Sequence, residues 1–301
     1  MEKEVGGIRG SSSLILASKV KDYFQLIKFT LSFMVVFSCV VCYLLAPNVK
    51  FNLTAVLLLF TAGMLITGSA NAINQAVEKD TDAMMKRTAG RPVASGRMSE
   101  QEAWVFAVIT GIAGVLIMWY WFNFASAMIG LFSLFLYAFV YTPLKKINSV
   151  SVLVGAFPGA LPCLIGWVAA TGEFSIGGWI LFGIQFLWQF PHFWAIAWVA
   201  HQDYSRAGFK LLPSDKGPTK FTALQTVMYS VLMVPVGMLP YYFKISGVIS
   251  LWIVLACNLW MVFVSLRLFI KMDVGSARRV MFSSYFYLMI VLLSLLFDKG
   301  R

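Results

Sequence analysis

Polar and apolar positions along this chain do not alternate; they separate into long blocks. Stretches free of Asp, Glu, Lys and Arg cover 29–49, 51–77, 103–144, 147–172, 174–202, 221–243, 245–266 and 280–297. Each reaches the roughly 18–20 residues that a helix needs to cross hydrocarbon. The stretch 103–144 is long enough for two crossings, with a natural break at Trp121-Phe122-Asn123. The blocks therefore predict nine helices, near 27–46, 54–76, 102–121, 124–142, 150–170, 177–199, 222–242, 247–268 and 279–297. A membrane barrel would instead show short alternating strands.

Composition narrows this to one fold class. The chain is 59% hydrophobic and 12% charged, roughly half the charged share of a soluble domain, which excludes a water-soluble fold. The expectation is an all-α, polytopic membrane bundle, with a polar tail over 1–24 and a single transmembrane domain over 25–301. The first apolar run has spanning length and no clear small-residue cleavage site, so it reads as a retained helix. Placing the N-terminus in the cytoplasm puts 20 of the 24 Lys and Arg on the inner side and leaves Lys50, Lys244, Lys299 and Arg301 outside, a strong positive-inside bias. The net charge of +11 then fits an anionic leaflet and an anionic substrate, and calls for no nucleic acid. Cys39 and Cys42 have CxxC spacing, but inside an apolar helix they read as small packing residues.

Ionisable groups set against a spanning helix are costly, which makes them functional candidates. The segment Asn74-Gln75-Ala76-Val77-Glu78-Lys79-Asp80-Thr81-Asp82 continues the second predicted helix. On a continuous helix Asn74, Glu78 and Asp82 are spaced i, i+4, i+8 and share one face, whereas Asp80 lies about 200° around from Glu78. Two carboxylates and a carboxamide suit a hard divalent cation such as Mg²⁺, whose remaining positions go to phosphate oxygens and water. Arg87 and Arg91, again i, i+4 if helical, supply bidentate contacts to the same phosphates. Charges of both signs beside an apolar cavity are what a lipid diphosphate requires. The same spacing also suits an ordinary mixed-charge loop.

The segment resembles the first Asp-rich motif of the intramembrane aromatic prenyltransferase superfamily, written NDxxDxxxD. Asn74, Glu78 and Asp82 stand at matching places, with Gln75 for the second-position Asp and Glu78 for the central Asp. Those departures resemble the branch that farnesylates protohaem. Three further segments are similar to that branch: Arg87-Thr88-Ala89-Gly90-Arg91-Pro92; Tyr141-Thr142-Pro143-Leu144-Lys145-Lys146 with the run from Gly155 to Trp167; and Trp188-Gln189-Phe190-Pro191-His192-Phe193-Trp194 through Asp203-Tyr204 to Leu211-Leu212-Pro213. The superfamily's second Asp-rich motif is reduced, since Asp203 remains but Ala207 stands four residues on. Asp203 with Tyr204, Arg206 and Lys210 is left to hold a second Mg²⁺ or the diphosphate tail.

The resemblance implies farnesyl diphosphate and haem B as substrates, with Mg²⁺ on Asn74, Glu78, Asp82 and Asp203, and Arg87 and Arg91 assisting the leaving diphosphate. The product it implies is haem O, for terminal-oxidase haem biosynthesis in a bacterial inner membrane or an organelle membrane of bacterial origin, with a downstream haem-modifying enzyme as a candidate partner. His192, just after Pro191, reads as an axial haem ligand or propionate partner, and equally as a packing histidine. Pro191 frees a backbone carbonyl that opens the helix there. Trp188, Phe190, Phe193, Trp194 and Trp198 are expected around His192, their ring faces toward a macrocycle or allylic cation. His201 reads as an interfacial side chain. Lys145 and Lys146 read as ligands for diphosphate or propionates, and equally as snorkelling residues. Two rivals stand beside this reading: a related prenyltransferase acting on a quinone precursor or chlorophyllide, and a secondary transporter, which the gathering of ionisable groups at one rim disfavours.

Overall fold

The computed structural model describes residues 18–214 and 216–300, and the described residues contain helices and no strand. They run α1 (Ser18–Leu26) and α2 (Phe29–Leu45), α3 (Leu53–Val77), α4 (Lys79–Met84), α5 (Glu100–Trp121), α6 (Phe124–Phe135), a π-helical segment (Leu136–Tyr141), α7 (Thr142–Leu144), α8 (Ser151–Thr171), α9 (Ile176–Val199), α10 (His201–Arg206), α11 (Lys220–Tyr242), α12 (Val248–Lys271) and α13 (Val274–Phe297). Eight units, counting α6 to α7 as one, are long and apolar enough to cross a membrane, and α1 with α2 makes a ninth bent by 51°.

Local chemistry sets most of the boundaries. Asn52, Ser99, Asn123, Thr219 and Asp273 each accept a bond from the backbone N–H three residues on, which satisfies a donor that helix geometry leaves unpaired. Asn123 caps α6 at the break expected near Trp121-Phe122-Asn123. The first span departs from expectation. It begins at Ser18, inside the stretch expected as a tail, and Lys19 and Tyr23 of α1 both bond Glu102 at the start of α5. Residues 1–17 lie outside the described residues.

Two apolar clusters hold the bundle. One joins α2, α8 and α9 to α11, α12 and α13; the other joins α1, α2 and α8 to α3, α5 and α6. Helices α2 and α8 belong to both. Their approach depends on Gly166, where an added Cβ would lie 1.9 Å from the Cys39 carbonyl oxygen, so small size admits the neighbouring backbone.

Candidate active site at the basic end of the bundle

Helix α3 ends at Val77 and Glu78 serves as its cap, so the helix expected to run unbroken from Asn74 to Asp82 is interrupted at Glu78. Backbone bonds from Glu78 N to Asn74 O and from Asp82 N to Glu78 O nevertheless carry the i, i+4 ladder through the interruption. Asn74, Glu78 and Asp82 are all buried, at 1%, 4% and 1% exposure. Asn74 Nδ2 donates to Glu78 Oε2 at 2.8 Å and to Thr142 Oγ1 at 3.2 Å. Glu78 Oε1 forms an ion pair with Lys145. Arg91 Nη1 donates to Asp82 Oδ2 at 2.6 Å, while Asp82 Oδ1 is buried without a partner. An anionic oxygen in that position is costly unless a cation meets it. The donor set of two carboxylates and one carboxamide oxygen, with that orphaned oxygen, fits Mg²⁺.

Three segments distant in sequence close around these groups. Residues 85–98 form successive turns rather than a helix, so Arg87 and Arg91 diverge: Arg91 reaches Asp82, and the exposed Arg87 donates to Tyr204 Oη at 3.2 Å and lies over the Tyr204 ring. Arg97 ties these turns to α1 through Asp22, Gln25 and the Gly90 carbonyl. The π-helical segment brings Thr142 and Lys145 to α3; Thr142 N and Oγ1 both donate to Tyr137 O, five residues back. Lys145 is buried between the Tyr141 and Phe209 rings. Its burial pulls the ammonium pKa below that of a free lysine, and Glu78 opposes the shift. The third segment is α10 and its loop, joined to the second by Lys210 N donating to Lys145 O.

One turn of α3 beyond Asn74, Asn71 lines a cavity of about 300 Å³ that extends along α3 to Leu59. Its wall is largely apolar and includes Tyr137, Tyr141, Met118, Trp188, Phe193 and His192. Leu31 on α2 lines it while remaining 50% exposed. The His192 ring stacks on Trp188 at 4.8 Å and meets Tyr285 edge-on at 5.0 Å. Ser284 Oγ donates to Met281 O, so it accepts from His192 Nδ1 at 2.8 Å. This assigns the proton to Nδ1 and leaves Nε2 as the acceptor nitrogen.

The sequence profile of the UbiA prenyltransferase family matches residues 35–290. The chain belongs to the UbiA prenyltransferase family. A protohaem IX farnesyltransferase of Cytophaga hutchinsonii is 43% identical over 284 residues, covering 94% of this chain and 99% of that protein. Among solved structures, a digeranylgeranylglyceryl phosphate synthase superposes with a TM-score of 0.78 at 21% identity, over 93% of this chain and 98% of its own. A UbiA homologue from Archaeoglobus fulgidus bound to GPP and Mg²⁺ gives a TM-score of 0.66 at 16% identity, over 91% of this chain and 99% of its own. Those structures share the UbiA fold.

This UbiA site differs in detail from the expected one. Lys146 is exposed, separated from its buried neighbour Lys145. Asp203 is partly exposed and lies 3.9 Å from Arg206; among the described residues no third carboxylate, His or Cys joins Glu78 and Asp82 in a metal-sized group. The Lys210 side chain is exposed. His201 lines a second, smaller pocket with Tyr204 and Ser214. Helix α9 runs through Pro191 unbroken. Of the five aromatics expected around His192, Trp188 and Phe193 face the cavity. Trp194 and Phe190 pack on Tyr229 and Trp198 joins the core toward α11 to α13; Trp194 stands two residues from His192, about 200° around the helix.

Lys28 and Ser284 lie outside the motif segments, and Thr142 and Gln75 lie inside them without an expected role. Lys28, Thr142 and Ser284 enter through contacts from other helices. Gln75 donates to the Gln25 and Leu26 carbonyls, a task that the motif's usual Asp has no N–H to perform. The departure from Asp was the available signal.

Proposed function

We infer that this protein transfers the farnesyl group of farnesyl diphosphate to a vinyl group of haem B, giving haem O. The observation that carries the chemistry is the buried Asn74, Glu78 and Asp82 set, with one Asp82 carboxylate oxygen left unpartnered, one helical turn from an apolar cavity that a fifteen-carbon chain suits. The acceptor follows from near full-length relatedness to protohaem IX farnesyltransferases.

Asn74, Glu78 and Asp82 would hold Mg²⁺, which when bound neutralises charge growing on the leaving diphosphate. Lys145 and Arg91, each already paired with one of the two carboxylates, supply further positive charge there, and Arg87 closes the open side with Tyr204. As the allylic carbon–oxygen bond breaks, its electron pair leaves with the diphosphate. The faces of Tyr137 and Tyr141, next to the cluster, stabilise the positive carbon. The haem vinyl group then supplies the electrons of the new carbon–carbon bond, and water captures the resulting cation with loss of a proton. His192 offers Nε2 to the haem iron, with Ser284 fixing its tautomer. Asp203, Tyr204, Lys210 and Lys146 belong to the rim over which the diphosphate enters. The bundle from α1 onward acts as one domain, and its basic end faces the cytoplasm.

The test is mass analysis of haems extracted from membranes with and without the protein, supplied with farnesyl diphosphate. A haem carrying the added farnesyl and water is expected. A prenylated quinol with unaltered haem would replace this reading with the quinone one.

A further inference from the structure

Helix α9 buries two glutamines in the wall of the apolar cavity, Gln185 at 2% and Gln189 at 3% exposure. A carboxamide in such surroundings is costly unless both its ends are met. Gln185 meets that demand: Nε2 donates to Gly159 O at 2.7 Å and Oε1 accepts from Cys163 Sγ at 2.8 Å. Gln189 meets half of it. Its Nε2 donates to the carbonyls of Ala156 at 2.9 Å and Gln185 at 3.1 Å, and two acceptors at that end fix which atom is nitrogen. Among the described residues no donor meets its Oε1, which lies against Gly159, where an added Cβ would stand 1.9 Å away. Gly159 itself lines the cavity, so its lack of a side chain leaves that oxygen open to the chamber.

An acceptor fixed in an apolar chamber selects for a hydrogen-bond donor. Neither organic substrate has one: ionised farnesyl diphosphate carries acceptor oxygens, and in haem B the propionates are acceptors and the pyrrole nitrogens hold iron. The remaining reactant is the water that captures the second cation. The two cations of the reaction need opposite treatment. The allylic cation must be kept from water until the vinyl group reaches it, or farnesol forms; the cation left on the vinyl carbon next to the ring must meet water. The placement of Gln189 suits that order. Gln189 and His192 stand i, i+3 on one face of α9 and both line the cavity, so a macrocycle held by His192 lies against Gln189. Helix α9 ends toward the basic cluster, where Tyr204 of α10 meets Arg87. Gln189 is therefore one turn farther from the diphosphate than His192, and water held by it is set apart from the allylic carbon.

We propose that Gln189 positions the water of the final step: Oε1 accepts one hydrogen of that water, whose lone pair forms the carbon–oxygen bond at the cationic carbon beside the ring. The proton lost from the oxygen is taken up by the departed diphosphate, the strongest base the reaction supplies, and the product keeps a hydroxyl that donates to Oε1. The assignment rests on the haem-farnesylating reading above. Without a positioned water the same cation loses a proton from the neighbouring CH₂ and closes to an alkene, a farnesylated haem lighter by one water.

The experiment supplies farnesyl diphosphate, Mg²⁺ and haem B to the full-length protein in liposomes. Mass analysis then measures the ratio of hydroxylated to alkene haem alongside total prenylated haem. Gln189→Met, close in shape and without the oxygen, is expected to shift the ratio toward alkene on the order of 10-fold, which is what one hydrogen bond contributes to a partition. Gln189→Glu keeps an acceptor oxygen and is expected to retain mostly hydroxylated product. Gly159→Ala, whose methyl displaces the oxygen, is expected to follow Gln189→Met, and it decides the matter should Gln189→Met fail to insert. A Gln189→Met enzyme that turns over more slowly at the wild-type ratio would overturn the proposal and leave Gln189 as a tie between α9 and α8. Wild type that makes no prenylated haem overturns the haem reading and this assignment with it, whereas an unchanged ratio overturns the assignment alone.

Discussion

Asp82 and His192 show how single buried side chains set the chemistry. Asp82 has Arg91 on one oxygen and nothing on the other, so its carboxylate is held ready at about 1–3 kcal/mol of unmet hydrogen bonding. Asp82→Asn or Glu78→Gln keeps the shape and removes one negative charge. Either change is expected to lower farnesyl transfer roughly 1,000-fold or more, since cation-assisted stabilisation amounts to several kcal/mol. Thermal midpoints should stay near wild type, and wild-type turnover in purified Asp82→Asn would sink the metal assignment. For His192 the readout is optical. His192→Ala should abolish the shift in haem absorbance on binding and raise the haem KM, with the farnesyl diphosphate KM unaltered; an unchanged haem spectrum would return His192 to a packing role against Trp188 and Ser284.

At the scale of elements, spans were legible and their interruptions were not. Hydrocarbon forces each crossing into a long apolar helix, so α5, α8 and α9 start and stop within two residues of the predicted helices 102–121, 150–170 and 177–199. The bend at Lys28 is dictated by Asn71 and Gln75, more than forty residues away, and no local residue announces it. The stop at Glu78 is equally silent, while the spacing of Asn74, Glu78 and Asp82 was readable because it is local. Lys28, Thr142 and Ser284 became visible only when helices met. The π-helical segment is another such interruption, and it has one residue more per turn than an α-helix. Deleting Val140 should restore α-pitch and rotate Thr142 and Lys145 by about 100°, away from Asn74 and Glu78. Pyrophosphate binding should then be lost with the protein still in the membrane; retained binding would mean that the site tolerates either pitch. Gly166→Ala acts between elements. Its new methyl meets the Cys39 carbonyl, and the resulting overpacking is expected to cost roughly 1–3 kcal/mol, measured as a lowered unfolding midpoint.

The molecule as a whole consists of two apolar clusters sharing α2 and α8, with the ionised groups of the candidate site gathered where α3, α7 and the α1–α2 turn meet. That division was foreseeable from composition, because charges confined to loops leave nowhere else for hydrophilic chemistry. What composition does not reveal is how a greasy reactant arrives. Leu31 belongs at once to the cavity wall and to the outer flank of the bundle, so the expected route for the isoprenoid tail is from among the acyl chains. Encounter then occurs in two dimensions, and crowding of reactants within the sheet, not their bulk molarity, governs turnover. Diluting a fixed quantity of farnesyl diphosphate and haem into tenfold more phospholipid should slow the reaction in proportion, and a rate indifferent to lipid would indicate entry from the aqueous phase.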